Sequence, residues 1–533
     1  MCLGIYLINL EQKGETKMSF MNAMKSTLNE ELNVSVTENG AVGYRTTGKA
    51  LVDLNFAVAS LRRASEEEIV QKFIKAFAED PITAMKWLFF ARDVREGLGE
   101  RRLFRVIIAA LMKSNPEMVL PVIKLIAEYG RWDDMWCLLD NKESAKIVCK
   151  LVDEQLTEDL KNMEAGKSIS LLAKWMPSSN ASSKETKKYA KQLYKSLGLT
   201  EHEYRKAMSK FRRYLDVVEV KMSAKNWSEI NYETVPSRAN LIYNNAFLRN
   251  DEARRRDYLS KLEKGEAKIN ASVLYPHDIV HKYMSNGYWS TSLKAKDVTL
   301  EELWKALPDK VEGCGNTIVV ADGSGSMTTT VGGTNVTALS VANALAIYFA
   351  ERSSGEFKDK YITFSERPQL VDFSRCQSLH GKIQKALAHN EVANTNIEAV
   401  FDLILATAIK GNMTQEEIPQ NILIVSDMEF DSCATCGSGG YNRPRPSQKL
   451  FDTIAHKYAA AGYKLPRLVF WNVNSRTGTI PVKENDLGVA LVSGFSTNIC
   501  KMVMSGKTDP YECLLETLNA PRYDAVEQAL ISK

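Results

Sequence analysis

The stretch Thr317-Ile318-Val319-Val320-Ala321-Asp322-Gly323-Ser324-Gly325-Ser326 decides the fold. Its first half is apolar and β-branched, with no polar alternation, and predicts a strand buried on both faces. Its second half reads D-x-S-x-S: three oxygen-bearing side chains alternate on a loop spaced by glycines. Glycine lets the backbone fold closely enough to turn all three toward one point. Hard oxygen donors, mostly hydroxyls with few charges, suit Mg2+, which keeps waters and prefers octahedral geometry.

The same grammar continues toward the C-terminus. Strands are predicted at 317–320, 361–364, 422–425, 468–471 and 489–492, and helices at 338–352, 397–409 and 448–461. Unalternating strands separated by helices predict an α/β, doubly wound, parallel sheet covered on both faces. Ligands of such sheets bind beyond the carboxyl ends of the strands. Two further donors fall at that edge: Thr395, in Asn394-Thr395-Asn396 ahead of a helix, and Asp427, which ends ILIVSD.

Upstream, from about 65 to 290, the pattern is helical. Ile69, Phe73, Ile74 and Phe77 form one apolar stripe, and Pro81 opens the next helix. Further helical stretches are read over ITAMKWLFFARDVRE, RRLFRVIIAALMKS, PEMVLPVIKLIAEYG and DDMWCLLD. They are broken by Gly97-Leu98-Gly99, Asn115-Pro116 and Gly130. Short helices with tight breaks bury their faces by stacking, which predicts an irregular all-α helical-repeat (HEAT-like) array. The chain is therefore read as multidomain: a partly disordered N-terminal extension over 1–40, a helical domain over 41–300 and an α/β domain over 301–533. Met1 to Leu10 lacks a basic start and a cleavage site, so it is not read as a signal peptide. A start at Met18 is the favoured alternative, because Lys13-Gly14-Glu15 can be encoded by a purine-rich ribosome-binding stretch.

Composition narrows the function classes. The chain has 533 residues, with 44% hydrophobic and 25% charged, which excludes wholesale disorder. No apolar run approaches the roughly 18 residues of a membrane span. Nine Cys, an odd number, do not form a secreted disulfide framework, so a reducing cytoplasm is the expected home. The net charge of +4 hides an asymmetry: residues 161–270 hold 23 Lys+Arg against 13 Asp+Glu, leaving the rest of the chain mildly acidic. Such a middle segment fits a polyanion partner or a Lys-rich solvated helix face.

With its strand context, the 316–500 segment resembles a von Willebrand factor A domain. The D-x-S-x-S loop, the later Thr and the Asp at a strand end are similar to its metal-ion-dependent adhesion site (MIDAS). The resemblance implies that Ser324, Ser326 and Thr395 offer hydroxyl oxygens. Asp322 and Asp427 would act directly or through water, and one position would be left for an acidic protein partner. A helical array followed by this domain is similar to the Ro autoantigen (TROVE) group, and more closely to Ro-like proteins of bacteria, phages and plants. The strings Arg92-Asp93-Val94-Arg95-Glu96-Gly97-Leu98-Gly99-Glu100-Arg101 and Tyr129-Gly130-Arg131-Trp132-Asp133-Asp134 carry part of that likeness. It covers most of 40–520 and is poor across 150–300. It implies a cytoplasmic ribonucleoprotein component that binds non-coding or structured RNA.

The residues offer candidates for that contact. Lys184, Lys187, Lys188, Lys191 and Lys195 fall three and four apart, interleaved with Tyr189 and Tyr194. Arg205, Lys206, Lys210, Arg212 and Arg213 follow, among Tyr204, Phe211 and Tyr214. Cations neutralise phosphates and aromatics stack on unpaired bases; the competing reading is a solvated face with tyrosines packed beneath. Arg238 contacts a partner or holds a loop-to-helix junction. Arg92, Arg95, Arg101 and Arg102 are read as structural, with Asp93, Glu96 and Glu100 as partners, and Arg131 to Asp134 as a packing corner. Cys433 and Cys436 lack the further ligands of a zinc site. No nucleophile–base pair, H-E-x-x-H or phosphate loop is present, so a non-enzymatic role is expected. The alternative is a metal-dependent protein–protein scaffold without RNA.

Overall fold

Two short antiparallel hairpins bracket the helical part in sequence: β1 (Val34–Val36) with β2 (Val42–Tyr44), and β3 (Met284–Asn286) with β4 (Thr291–Leu293). The structure, a computed structural model, describes residues 33–38, 42–286, 291–311, 316–332, 334–390, 396–430, 454–481, 489–500, 502 and 509–532. Residues 1–32, Met18 among them, lie outside the described residues, as do Thr395, Cys433 and Cys436.

The main sheet comprises β5 (Thr317–Asp322), β6 (Lys360–Phe364), β7 (Leu370–Asp372), β8 (Asn421–Ser426), β9 (Arg467–Asn472) and β10 (Val489–Ser493), in the order β10-β9-β8-β5-β6-β7. Every pairing is parallel except that of β7 with β6. This is a doubly wound order. The chain leaves β5 toward β6 on one side and later fills β8 on the other, which makes the carboxyl ends of β5 and β8 the topological switch point. Strand β7 escapes the sequence reading: it has three residues, of which only Val371 is buried, too few for a period to show.

Helix Ala338–Arg352 starts where Thr337 accepts from the Ser340 N–H at 3.2 Å. Ala338 through Ala350 are all buried. It lies between the sheet and helix Pro276–Tyr283, so it has no solvent face.

The helical part follows local rules. Ser65 caps helix Glu66–Glu79 by accepting from Glu68 N–H, and acidic residues fill its first turn. Ile69, Phe73 and Ala76 form its buried stripe, while Ile74 and Phe77 pack partly buried beside it. Asp80 caps helix Pro81–Arg92 at the Ile82 and Thr83 N–H groups. That helix stops at Arg92, before the expected DVRE turn. The stretch read as one helix after Asn115 divides into Pro116–Val119, a 3-10 segment Leu120–Leu125, and Ile126–Tyr129. Pro121 lacks the N–H that an unbroken α-ladder needs there. The DDMWCLLD stretch is likewise a 3-10 segment, Trp132–Asp140.

The two parts are packed together at several points. Asp93, fully buried, accepts from Arg522 Nη2 at 2.9 Å and from the Tyr523 hydroxyl at 3.1 Å. Tyr129 stacks on Tyr523 with centroids 5.8 Å apart. The Gly97 carbonyl accepts from the Ser496 hydroxyl and from Asn498 Nδ2. Helices Pro510–Leu518 and Asp524–Ile531 follow the sheet in sequence yet pack against the first helices of the chain.

Candidate metal centre

β5 ends at Asp322 and β8 ends one residue before Asp427, so the sheet itself sets both carboxylates side by side. Each is 1% exposed. Asp322 Oδ1 accepts from the Ser324 N–H at 2.9 Å, which folds the loop back over the strand end. Asp322 Oδ2 accepts from the Ser426 hydroxyl at 2.6 Å. The Ser324 and Ser326 hydroxyl oxygens lie 3.0 Å apart, and Ser326 hydrogen-bonds Asp427. A Cβ on Gly323 would come within 2.9 Å of Asn390 Oδ1 and 3.1 Å of its Cα, so only glycine permits this approach. Asp322, Ser324, Ser326 and Asp427 thus form one constellation. Thr395 lies outside the described residues, although the helix it precedes, Ile397–Gly411, begins as expected with Asn396 accepting from Ala399 N–H.

The donor set suits a hard divalent cation. Burial and the neighbouring Asp322 charge push the Asp427 carboxyl up to about 7, against the lowering pull of Arg476 and Ser326. Two crowded, dry carboxylates with hydroxyls between them are what a cation relieves. Among the described residues no group of three or more His, Cys, Asp or Glu gathers as a metal cluster. Asp322, Ser324, Ser326 and Asp427 would hold the ion. Sequence reasoning missed Ser426, Glu429 and Arg476. Ser426 was legible in hindsight, since it precedes Asp427 on the same strand. Arg476 comes from the loop after β9, with its Nη1 3.3 Å from Asp427 Oδ2, and no local pattern announces it.

The basic candidates separate into two kinds. Lys184, Lys187, Lys191 and Lys195 project from helix Lys184–Ser196, and Arg205, Lys206, Lys210 and Arg213 from helix Glu201–Tyr214; all are exposed and carry no ion pair among the described residues. Lys188 is also exposed but pairs with Asp140. Of the aromatic residues between them, Tyr189, Tyr204 and Phe211 are buried, Tyr194 is half-buried and Tyr214 is exposed; Tyr204 donates to the Pro177 carbonyl at 2.6 Å. Arg212 donates to the carbonyls of Ala173 and Met176 at 2.8 and 2.9 Å, closing the end of helix Leu172–Trp175. Arg238 pairs with Asp278 at 3.1 Å. A cleft of about 280 Å³ opens between the 177–180 loop and helix Glu201–Tyr214, lined by Ser178, Asn180, Arg205, Ser209 and Arg212.

Comparison with known proteins places both regions. A family model described as a domain of unknown function (DUF2828) matches residues 37–140 and 145–317. An uncharacterized protein of Acanthamoeba polyphaga mimivirus is 31% identical over 526 residues, covering 91% of this chain and 87% of its own length. The chain belongs to the DUF2828 family. A second model, a domain of unknown function (DUF7788), matches residues 316–524 and contains the metal constellation. Among solved structures, the Ro (RSR) protein of Deinococcus radiodurans matches with a TM-score of 0.43 and 12% identity, over 86% of this chain and 100% of that one.

The DUF2828 portion also contains the Arg92–Asp134 corner. Arg92, 1% exposed, donates through Nε to Asp134 Oδ2 at 2.7 Å, and Arg105 Nε donates to Asp134 Oδ1 at 2.7 Å. A Cβ on Gly130 would lie 2.5 Å from Asp134 Oδ2 and 2.9 Å from Arg92 Nε. Arg95 pairs with Glu128, and Arg131 lies over the Trp175 ring at 3.8 Å. Here Arg92 and Asp134 are structural. Arg101 differs: burial and the nearby Arg131 charge push its guanidinium down to about 10.

Proposed function

We propose that this DUF2828 protein is a Ro-like, non-enzymatic RNA-binding component of a ribonucleoprotein. Its HEAT-like helical part grips RNA. Its α/β part, a von Willebrand factor A-like domain, captures an acidic partner through Mg2+. The observation that supports RNA most directly is the run of exposed cations on two successive helices, most with no ion pair among the described residues, beside a cleft of about 280 Å³. Each phosphate neutralised releases counterions, so affinity should fall steeply with salt. The metal half rests on the Asp322–Asp427 constellation at the switch point. Bound there, Mg2+ would supply an open coordination position for an anionic oxygen. The protein's own contribution is to hold two carboxylates and two hydroxyls in place and exclude water behind them. Among the described residues, no helix is long and apolar enough to cross a membrane.

Filter binding of the full chain to single-stranded and structured RNA at about 50 and 200 mM salt tests the first half. Negligible binding at the lower salt removes RNA. One observation favours the second reading, a metal-dependent protein scaffold. Tyr189 and Tyr204 of the basic segment pack beneath the lysines, so base stacking from these two is not on offer. Under that reading Asp322→Ala abolishes partner capture, and nuclease treatment leaves it unchanged.

A further inference from the structure

We infer that Arg476 is a built-in rival of the divalent cation at Asp427, and that Glu38 of the N-terminal segment sets how strongly it competes. The inference rests on the metal-site reading above and adds its regulation.

The backbone of the loop after β9 is firmly held. Asn472 Oδ1 accepts from the Asn474 and Ser475 N–H groups at 3.1 and 2.8 Å. Glu429, 2% exposed, accepts from the Arg476 and Thr477 N–H groups at 2.7 and 2.9 Å. That pins the root of the Arg476 side chain beside the metal edge. Its guanidinium is then divided between two carboxylates. Nη1 lies 3.3 Å from Asp427 Oδ2 and 3.5 Å from the Thr329 hydroxyl oxygen. Nε and Nη2 each lie 2.5 Å from the same Glu38 oxygen. The outer contact is the shorter one, and the inner one is long for a charge-assisted bond.

Glu38 is itself seated at the site. Its N–H donates to Glu429 Oε2 at 2.8 Å, and the Thr37 hydroxyl donates to the Phe430 carbonyl at 2.7 Å. The β2 end is tied to the same loop through the Tyr44–Ile480 bridge. The segment before the first helix therefore reaches across the metal edge and holds the arginine by its outer side. A fixed positive charge at Asp427 weakens the attraction of Asp427 for Mg2+, whether the ion is bound directly or through water. Glu38 offsets that charge. The two residues should thus move cation affinity in opposite directions.

The test is titration calorimetry of the full chain with Mg2+, with circular dichroism to check folding. Arg476→Gln should bind about tenfold tighter than wild type, and Glu38→Gln about threefold weaker. Arg476→Lys retains the charge and should stay within about twofold of wild type. The double variant should match Arg476→Gln, because Glu38 acts through the arginine. Wild type that binds Mg2+ while Arg476→Gln binds no tighter overturns the inference and leaves the metal site standing. A double variant weaker than Arg476→Gln overturns the role given to Glu38. No Mg2+ uptake by any of the proteins removes the metal site and the inference together. Should Arg476→Gln fail to fold, Glu38→Gln, at an exposed position, carries the test: affinity equal to or above wild type refutes it.

Discussion

The metal edge and the basic helices both carry excess charge of one sign, and they manage it in opposite ways. Asp322 and Asp427 are buried, close together and wrapped by hydroxyls, an N–H group and one arginine. Lys184, Lys187, Lys191 and Lys195 are exposed, one turn apart, with no ion pair among the described residues. A buried pair of carboxylates is costly to keep ionised and calls for a cation at a fixed point. An exposed row costs little to keep, and its attraction for a polyanion is long-ranged, salt-dependent and weakly directional. The first is a site for one ion; the second is a surface for a chain.

That contrast breaks first at Asp322. Asp322→Ala should lower Mg2+ affinity by at least about a hundredfold, since it removes one of two carboxylates, while RNA affinity at fixed salt stays within about twofold. Parallel calorimetry and filter binding would show it; loss of both together would mean the two regions are one site. Next, replacing Lys184, Lys187, Lys191 and Lys195 together with Ala should reduce the salt slope of RNA binding by about 3, at roughly 0.7 per single-strand phosphate contact. The melting temperature should barely move, because the buried face of that helix is Tyr189, Ala190 and Leu193. An unchanged slope would take these lysines out of the interface.

The contact between the helical and α/β parts supplies a third test. Burial pushes His277 down to about 4, and it sits edge-on to Phe495 with centroids 5.0 Å apart. An unfolded His titrates near 6.5. Between about pH 6.5 and 4 the unfolded chain takes up a proton that the folded one refuses. Stability from this residue is therefore intact above about 6.5 and declines through that window, by up to about 3 kcal/mol. Urea midpoints at pH 7 and 5 should drop further for wild type than for His277→Gln; equal drops would refute the assignment. The smallest effect separates two arginines on one helix. Arg212→Gln should cost about 1–2 kcal/mol by leaving the Ala173 and Met176 carbonyls unpaired, whereas Arg205→Gln should stay within about 0.5 kcal/mol and weaken only RNA binding. Chemical denaturation of the two variants distinguishes them, and identical losses would erase the division between structural and open cations.

Much of this was legible from residue order. The five parallel strands, the starts of the helices at Glu66, Pro81, Ala338 and Ile397, and the D-x-S-x-S donors follow from short-range patterns. The failures have a common form. Arg212 and Arg213 are neighbours of identical type, yet one closes a helix end and the other is exposed with no ion pair among the described residues, because only one faces the carbonyls of Leu172–Trp175. Tyr189 and Tyr204 looked available for stacking because spacing cannot say which side of a helix a neighbouring helix covers. The all-round burial of Ala338–Ala350 was likewise invisible until Pro276–Tyr283 was laid on it.

Sequence by itself determined where the five parallel strands and the longer regular helices form and which oxygens gather at the end of β5, since backbone preference and apolar period act over a few residues. Tertiary structure alone decided that Ser426 would serve Asp322, that Arg476 would reach Asp427 across 49 positions, and that Glu38 would reach Arg476 across 438. Contacts at such separation are set by how layers pack, and no local pattern encodes which distant side chain fills the last space beside a buried charge.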